Sequence, residues 1–174
     1  MLRVLAKRHF PIAKLSAVAS EGGRSVTFRG ETCEVQGLDD FDFSDVDFAL
    51  FSAGSGPSRA HAERAAAAGA VVIDNSSAWR RDLEVPLCVP EVNGDSLARR
   101  PKGIIANPNC STMQLVVALG PIHRRFRLQH VVVSTYQAVS GAGRSALDRL
   151  DNSYRNLARG ERDGLAGNVW IDWS

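Results

Sequence analysis

Gly103-Ile-Ile-Ala-Asn-Pro-Asn-Cys-Ser-Thr112 carries a short apolar run through Asn and Pro into a helix-like segment, Met113–His123. Ser111 and Gln114 have the spacing of a capping box, so the sequence predicts that Ser111 caps the helix and that Cys110 lies just before it. A helix N-terminus favours the thiolate, which is the nucleophilic form of cysteine. Cys110 is therefore a candidate nucleophile, although most cysteines are inert parts of a core.

The rest of the chain alternates strand-like and helix-like segments, which predicts an α/β fold with a parallel, Rossmann-like sheet. Strands are predicted at residues 15–19, 26–28, 32–35, 46–51, 70–73, 103–106 and 129–136, and helices at 1–8, 57–69, 113–123 and 142–159. The run at 46–51 is apolar apart from Asp47, which suits a strand buried on both faces. The segments 26–28 and 32–35 suit the two arms of a hairpin.

Functional side chains of parallel sheets gather at the carboxyl ends of the strands. Four groups of small or polar residues follow predicted strands: Ser52-Ala53-Gly54, Asn75-Ser76-Ser77, Asn109-Cys110 and Gln137. A glycine-rich turn into a helix suits a cofactor phosphate or ribose, and Arg80 offers a fork of donors to an oxyanion. Each feature also suits an ordinary turn or a surface cation, so the residues alone leave both interpretations open.

Composition limits the classes of function. The chain has 174 residues, of which 44% are hydrophobic and 23% charged, with a net charge of +2; these values are typical of one soluble globular domain. Scattered basic residues argue against nucleic acid as a partner, no apolar run is long enough to span a membrane, and no cluster has zinc-ligand spacing. Three cysteines without paired spacing fit a reducing cytoplasm. Cys33 and Cys88 are expected to be structural, and His61, His123 and His130 are not expected to be catalytic.

Four segments together resemble the signatures of the aspartate-semialdehyde dehydrogenase family, in the family's order and close to its spacing. They are Ile73-Asp-Asn-Ser-Ser-Ala-Trp-Arg80, Val89-Pro-Glu-Val-Asn93, Ile105-Ala-Asn-Pro-Asn-Cys-Ser-Thr112 and Ser134-Thr-Tyr-Gln-Ala-Val-Ser-Gly-Ala-Gly143. The resemblance runs from Met1 to roughly Gly160.

The resemblance implies a role for each candidate site residue. Cys110 would attack the aldehyde, Gln137 would orient the covalent intermediate, and Arg80 and Asn109 would bind phosphate or the anionic group of the substrate. The cofactor would be NADP, with NAD as an alternative. The residues implied to bind it are Ser52, Ala53, Gly54, Asn75, Ser76, Ser77, Ser140 and Gly141.

The resemblance also implies an organisation and a reaction. Residues 1–110 would form the NAD(P)-binding domain, 111–162 the start of the catalytic and dimerisation domain, and 163–174 an atypical tail. The reaction would interconvert aspartyl 4-phosphate and aspartate 4-semialdehyde, with phosphate as co-substrate, in a cytoplasmic homodimer that serves lysine, threonine and methionine biosynthesis. In the family, the loop after the second strand often binds the 2'-phosphate of NADP. The matching loop here is short, and the candidates for that contact are Ser20 and Arg24.

The chain departs from the family pattern at both ends. No counterpart of the family's first strand and glycine-rich loop precedes Met1, and no histidine matches the catalytic one, so the sequence predicts a truncated chain with little activity of its own. Two alternatives remain open. N-acetyl-γ-glutamyl-phosphate reductases share the mechanism but typically have Gly before the cysteine, where this chain has Asn109. The other alternative is a non-catalytic fragment or interaction module.

Overall fold

The computed structural model describes residues 1–8 and 10–160; the tail at 163–174 lies outside them. The helices are α1 (Leu2–Lys7), α2 (Ser55–Ala67), α3 (Pro90–Asn93), α4 (Cys110–Phe126) and α5 (Arg144–Ala158), with 3-10 turns at Gly94–Ala98 and Val139–Ala142. The strands are β1 (Ala17–Ala19), β2 (Ser25–Phe28), β3 (Glu31–Gly37), β4 (Phe48–Phe51), β5 (Val71–Asp74) and β6 (Ile104–Ala106). Mixed α/β architecture with a parallel, Rossmann-like sheet is confirmed.

The sheet that carries the candidate site has the order β4-β5-β6, and both of its strand pairs are parallel. Its register sets two rows of residues side by side on one face. One row is Ala49, Val72 and Ile104, and the next is Phe51, Asp74 and Ala106. All six are buried, because alternate residues of each strand point to the same face and α2 packs on the sheet.

The expectation that residues 46–51 are buried on both faces is wrong. Phe48 is 52% and Leu50 40% exposed, whereas Ala49 and Phe51, which alternate with them, are buried. The run is apolar at almost every position, but the described residues cover only one face of β4. Phe48 makes an edge-to-face contact with Phe10, with ring centroids 5.9 Å apart, which covers part of the open face.

Helix α2 reaches the sheet through small side chains. Ala62 and Ala65 are fully buried, as is Ser58 one turn before Ala62, so the stripe of contact follows the helical period. The helix gives way at Gly69, whose φ of 102° is a conformation that glycine adopts without strain. This close approach holds the start of α2 against the carboxyl ends of β4 and β5.

A second sheet has the order β1-β3-β2, with β1 parallel and β2 antiparallel to β3. The predicted hairpin is confirmed. Its turn is made by Arg29 and Gly30, with φ of 51° and 89°, the pair of positive values that a tight two-residue hairpin turn requires.

The predicted strand at residues 129–136 does not form in the structure. Val132 and Tyr136 are almost fully exposed there. Three consecutive valines have a high intrinsic preference for extended backbone, but a strand also needs a neighbour to accept its hydrogen bonds, and the described residues provide none. The chain divides by its internal contacts into Met1–Leu128 and Gln129–Ser174. The described part of the second unit contains this extended segment, the 3-10 turn and α5, which confirms the predicted polar helix near 142–159.

Candidate active site

The carboxyl ends of the three parallel strands are joined directly by backbone hydrogen bonds. The N–H of Asn75, just after β5, donates to the carbonyl of Phe51 at the end of β4 at 2.9 Å. The N–H of Asn107, just after β6, donates to the carbonyl of Asp74 at 2.8 Å. The loops that follow the strands therefore start from one edge, as the sequence predicted for the first three groups of candidate residues.

Cys110 is the first residue of α4, and the residue that caps the helix is Asn109 rather than Ser111. The Asn109 side-chain oxygen accepts the N–H of Ser111 at 2.9 Å and the hydroxyl of Ser111 at 2.5 Å. Asparagine caps helices at least as well as serine, and Asn109 follows a proline that keeps the chain extended up to the helix. Because the cap lies one residue earlier in the chain than Cys110, the thiol sits inside the first turn.

The three cysteines differ sharply in exposure. Cys110 is exposed, Cys33 in β3 is partly exposed, and Cys88 is buried, with its sulfur 3.9 Å from the carbonyl oxygen of Asn93. The Cys110 sulfur lies 4.0 Å from the side-chain oxygen of Asn109. An exposed thiol in the first turn of a helix lies near the positive end of the helix dipole. Of the three, Cys110 has the environment of a nucleophile.

Arg80 is tied to the loop that precedes Cys110. Its Nε donates to the carbonyl of Asn107 at 2.9 Å, and one of its terminal nitrogens reaches the carbonyl of Asn75 at 3.5 Å. The side-chain amides of Asn75 and Asn107 are themselves 3.5 Å apart. The guanidinium is half-buried between the loops that follow β5 and β6. The donors that it does not use on these carbonyls remain for an anion.

The loop that carries Arg80 is anchored on both sides of it. The indole Nε1 of the buried Trp79 donates to the hydroxyl of Ser58 in α2 at 2.9 Å. Further along, the Lys102 ammonium lies 2.6 Å from the Asp82 carboxylate and 3.5 Å from that of Glu84. Trp79 and Lys102 are also close, with the ammonium 5.7 Å from the ring centre. These contacts fasten the loop at Trp79, before Arg80, and at Asp82, after it.

The two serines after β5 have different surroundings. Ser76 is buried; its hydroxyl donates to the Asp74 carboxylate at 2.7 Å and accepts the N–H of Ala78 at 3.1 Å. Ser77, like Asn75, is exposed. The hydroxyl of Ser76 is thus engaged inside the loop, while Asn75 and Ser77 present polar groups at its surface.

The turn after β4 is exposed and open to a ligand. Ser52, Ala53 and Gly54 are exposed, and Gly54, with φ of 96°, is the N-cap of α2. A Cβ placed on Gly54 would meet no atom within 4 Å, so the backbone is open to close approach by a phosphate or ribose. The residues present therefore fit the close approach of a phosphate or a ribose at this turn.

Gln137, Ser140 and Gly141 belong to the second unit. Gln137 is exposed in the extended segment, and Ser140 and Gly141 lie in the 3-10 turn Val139–Ala142. Convergence of Gln137 with Arg80 and Cys110 remains a prediction from the resemblance.

Sequence reasoning missed Asn107 and Asp74. Asn107 accepts the Arg80 side chain and bridges to Asn75; Asp74 anchors Ser76. The signal for Asp74 was available, because a carboxylate ends an otherwise apolar strand, Val71-Val-Ile-Asp74. Asn107 could be found only once the two loops were known to be adjacent.

The described residues contain no group of three or more His, Cys, Asp or Glu side chains placed to hold a metal ion. Within the same part of the chain, no helix is both long and apolar enough to cross a membrane.

Comparison with known proteins gives two family matches. Residues 1–100 match the semialdehyde dehydrogenase NAD binding domain, and residues 119–166 match the semialdehyde dehydrogenase dimerisation domain.

Individual relatives agree with these matches. The aspartate-semialdehyde dehydrogenase of Aquifex aeolicus is 50% identical over 164 residues, which is 92% of this chain and 48% of that protein. The crystal structure of aspartate semialdehyde dehydrogenase II complexed with ASA from Vibrio cholerae has a TM-score of 0.84 at 47% identity, over 91% of this chain and 48% of the other. Aspartate semialdehyde dehydrogenase with NADP from Candida albicans shares the fold, with a TM-score of 0.59 at 23% identity, over 93% of this chain and 55% of the other. The chain spans about half the length of the curated relatives it matches.

Proposed function

The chain belongs to the semialdehyde dehydrogenase family, and on that premise we propose that the protein interconverts aspartyl 4-phosphate and aspartate 4-semialdehyde through a thioester on Cys110. The observation that carries the proposal is the position of Cys110. Its thiol is exposed in the first turn of α4, and the preceding loop accepts the Arg80 side chain. A nucleophile beside an oxyanion-binding cation is the pair that such chemistry needs.

In the direction of aldehyde oxidation, the Cys110 thiolate adds to the aldehyde carbon. A C–S bond forms, and the carbonyl electron pair moves to oxygen to give the oxyanion of a thiohemiacetal. Backbone N–H groups in the first turn of α4, together with the helix dipole, would stabilise the oxyanion. Asn109 holds that turn rigid by occupying the N–H of Ser111.

A bound nicotinamide would supply the redox chemistry by accepting hydride from the same carbon. The oxyanion re-forms the C=O bond as the hydride leaves, which leaves an acyl thioester on Cys110. The exposed turn at Ser52–Gly54, with the neighbouring Asn75 and Ser77, would hold the dinucleotide beside the sulfur. Ser140 and Gly141 of the second unit are proposed to complete that contact.

Phosphate then attacks the thioester carbon, and the C–S bond breaks to release aspartyl phosphate and the Cys110 thiolate. Arg80 is proposed to bind the phosphate oxygens through the donors that its backbone carbonyls leave unused. Asn109 and Gln137 are proposed to orient the acyl group. The biosynthetic direction runs the same steps in reverse.

The capping role of Asn109 supports aspartate semialdehyde over the N-acetylglutamyl substrate of the sister class. Glycine, which that class typically has at this position, carries no side chain to accept the N–H of Ser111. The two classes would therefore build the start of this helix differently.

The finer assignments rest on the family. We infer NADP rather than NAD as the cofactor, an assembly of two copies through the segment that matches a dimerisation domain, and a cytoplasmic location. We also infer a boundary near residue 110 between the cofactor-binding and catalytic parts, with residues 111–162 in the latter and 163–174 as a separate tail. The three cysteines are free thiols in the structure, which supports a reducing compartment.

Turnover by the purified protein tests the proposal. Phosphate-dependent reduction of NADP is expected to be far slower than that of an intact family member, because no histidine here matches the family's catalytic one, and to occur with aspartate semialdehyde but not with N-acetylglutamate semialdehyde. Cys110→Ser should abolish it, whereas Cys33→Ser, in β3, should not. Turnover with the N-acetylated substrate, or activity that survives Cys110→Ser, would contradict the assignment.

A further inference from the structure

Asp74 is a buried carboxyl group that the proposed chemistry does not use. It ends β5 and is 0% exposed, in the same row as Phe51 and Ala106 on the face that α2 covers. One carboxyl oxygen accepts the Ser76 hydroxyl at 2.7 Å; the other has no hydrogen-bond partner among the described residues. Burying a carboxyl group in such surroundings is costly, so its presence needs a reason.

The contacts of Asp74 lead toward Arg80. The Ser76 hydroxyl donates to the Asp74 carboxylate on one side and accepts the N–H of Ala78 on the other, which folds the chain after β5 into a tight turn. Arg80 lies two residues beyond Ala78. The backbone carbonyl of Asp74 also accepts the N–H of Asn107, whose own carbonyl accepts the Arg80 Nε. The side chain of Asp74 thus holds the turn that precedes Arg80, and its backbone carbonyl holds Asn107, which accepts the Arg80 side chain.

We propose that Asp74 is a positioning residue, which acts through Ser76 to hold the Arg80 guanidinium where it binds phosphate beside Cys110. This inference rests on the proposed role of Arg80. It assigns Ser76 to the same device, because the Ser76 hydroxyl is already committed on both sides. Asp74 itself touches neither substrate nor cofactor.

The loop has a second anchor that provides a matched control. The Asp82–Lys102 ion pair fastens the loop beyond Arg80, and Trp79 is bonded separately to Ser58. Asp82→Asn weakens an anchor of the same loop without touching the Ser76 turn. A general loosening of the loop would affect both variants, whereas positioning through Ser76 would affect only Asp74→Ala and Ser76→Ala.

Phosphate binding, measured as the rise in melting temperature with inorganic phosphate at constant ionic strength, tests this without requiring turnover. The apparent Kd for phosphate should rise about tenfold in Asp74→Ala and in Ser76→Ala, the order expected for losing a hydrogen bond to a charged group. The double variant should be little worse than either single one, since both remove the same contact. Asp74→Asn keeps an acceptor for Ser76 and should fall between, and Asp82→Asn should match the parent protein.

The outcomes distinguish a failure of the proposed role of Arg80 from a failure of the role of Asp74. If phosphate stabilises the parent and Arg80→Ala equally, Arg80 is not the phosphate ligand, and both its proposed role and this inference fail. If Arg80→Ala loses the effect while Asp74→Ala and Ser76→Ala keep it, the inference alone is overturned. Should Asp74→Ala fail to fold, Ser76→Ala decides between the same two results.

Discussion

Asn109 is the residue that places the thiol. Its side chain accepts both the N–H and the hydroxyl of Ser111, so the helix starts two residues earlier than a cap at Ser111 would allow. Cys110 thereby enters the helix instead of preceding it. The chemical consequence is that the sulfur lies in the first turn of the helix, near its positive end.

Replacing Asn109 with Ala removes this cap. The free energy of unfolding should fall by about 1 kcal/mol, the usual cost of losing an N-cap side chain. Asn109→Ser supplies a hydroxyl acceptor of nearly equal capping strength and should restore most of the loss. Urea denaturation followed by circular dichroism measures both; equal stability of Asn109→Ala and the parent would show that the cap contributes nothing.

Arg24 is the residue on which a preference for NADP would depend. Its carbonyl accepts the N–H of Val35 at 2.7 Å, so its backbone is fixed after β1, while its side chain is exposed. Arg24→Ala should weaken NADP binding about tenfold, through loss of a charge-assisted contact, and leave NAD binding unchanged. Isothermal titration with both nucleotides is the measurement, with the exposed Arg99→Ala as the control. A parallel loss for NAD would mean that Arg24 does not read the 2'-phosphate.

Among the elements, α2 packs on the sheet just after the turn at Ser52–Gly54. Its contact with the sheet is made by Ala62 and Ala65, which are fully buried, so a larger side chain at either position would have no space. A close helix of this kind brings the turn at Gly54 to the same edge as Asn75 and Asn107.

Ala62→Leu should therefore destabilise the protein by about 1–3 kcal/mol, the cost of overpacking a filled core. Ala67→Leu adds the same side chain at an exposed position of the same helix and should change stability by less than about 0.5 kcal/mol. Thermal unfolding of the two variants decides the point. The opposite result, a loss of stability in Ala67→Leu and none in Ala62→Leu, would mean that the face of α2 with Ala67, and not the face with Ala62, packs on the sheet.

The Asp82–Lys102 pair gives the loop between β5 and β6 a pH dependence. The hydrogen bond from the Lys102 ammonium, with a smaller contribution from the N–H of Glu84, holds the pKa of Asp82 below its ordinary value. The same contact raises the pKa of Lys102. The stabilisation is thus complete from above the ordinary carboxyl pKa, about 3.9, up to the ordinary lysine pKa, about 10.4.

As pH falls through the lowered pKa of Asp82, that contribution is lost. Asp82→Asn should therefore show a shallower loss of stability than the parent below about pH 4, while Asp45→Asn, at an exposed position outside this loop, should follow the parent. The difference should be small, because the pair is partly solvated. Urea midpoints measured across the acid range check it. Parallel curves for the parent and Asp82→Asn would show that the ion pair does not contribute to the pH dependence of stability.

At the scale of the whole molecule, the alternation of segments was enough to predict a parallel α/β sheet, and the turn at Arg29-Gly30 was enough to predict the hairpin. Both signals are local. The segment at 129–136 was misassigned because strand formation depends on a partner that its three valines cannot specify. The exposure of Phe48 and Leu50 was missed for the same reason, since a uniformly apolar strand does not reveal which of its faces is covered.

The candidate site divides in the same way. Cys110 and Arg80 were identifiable from motif and strand-end position, because parallel strands bring their carboxyl ends together. The tie from Arg80 to Asn107, and the anchoring of the loop by Asp74 and Trp79, join positions far apart in the sequence. Those contacts required the folded chain.

Mapping the covalent intermediate is the direct test of whether Cys110 is the nucleophile. The protein is mixed with aspartate semialdehyde and NADP in the absence of phosphate, so that a thioester cannot be released, and is then quenched in acid and mapped by peptide mass spectrometry. We predict the aspartyl adduct on the peptide that contains Cys110, none on those with Cys33 or Cys88, and its disappearance when phosphate is added before the quench. An adduct on another residue, or reduction of NADP with Cys110 unmodified, would contradict the account.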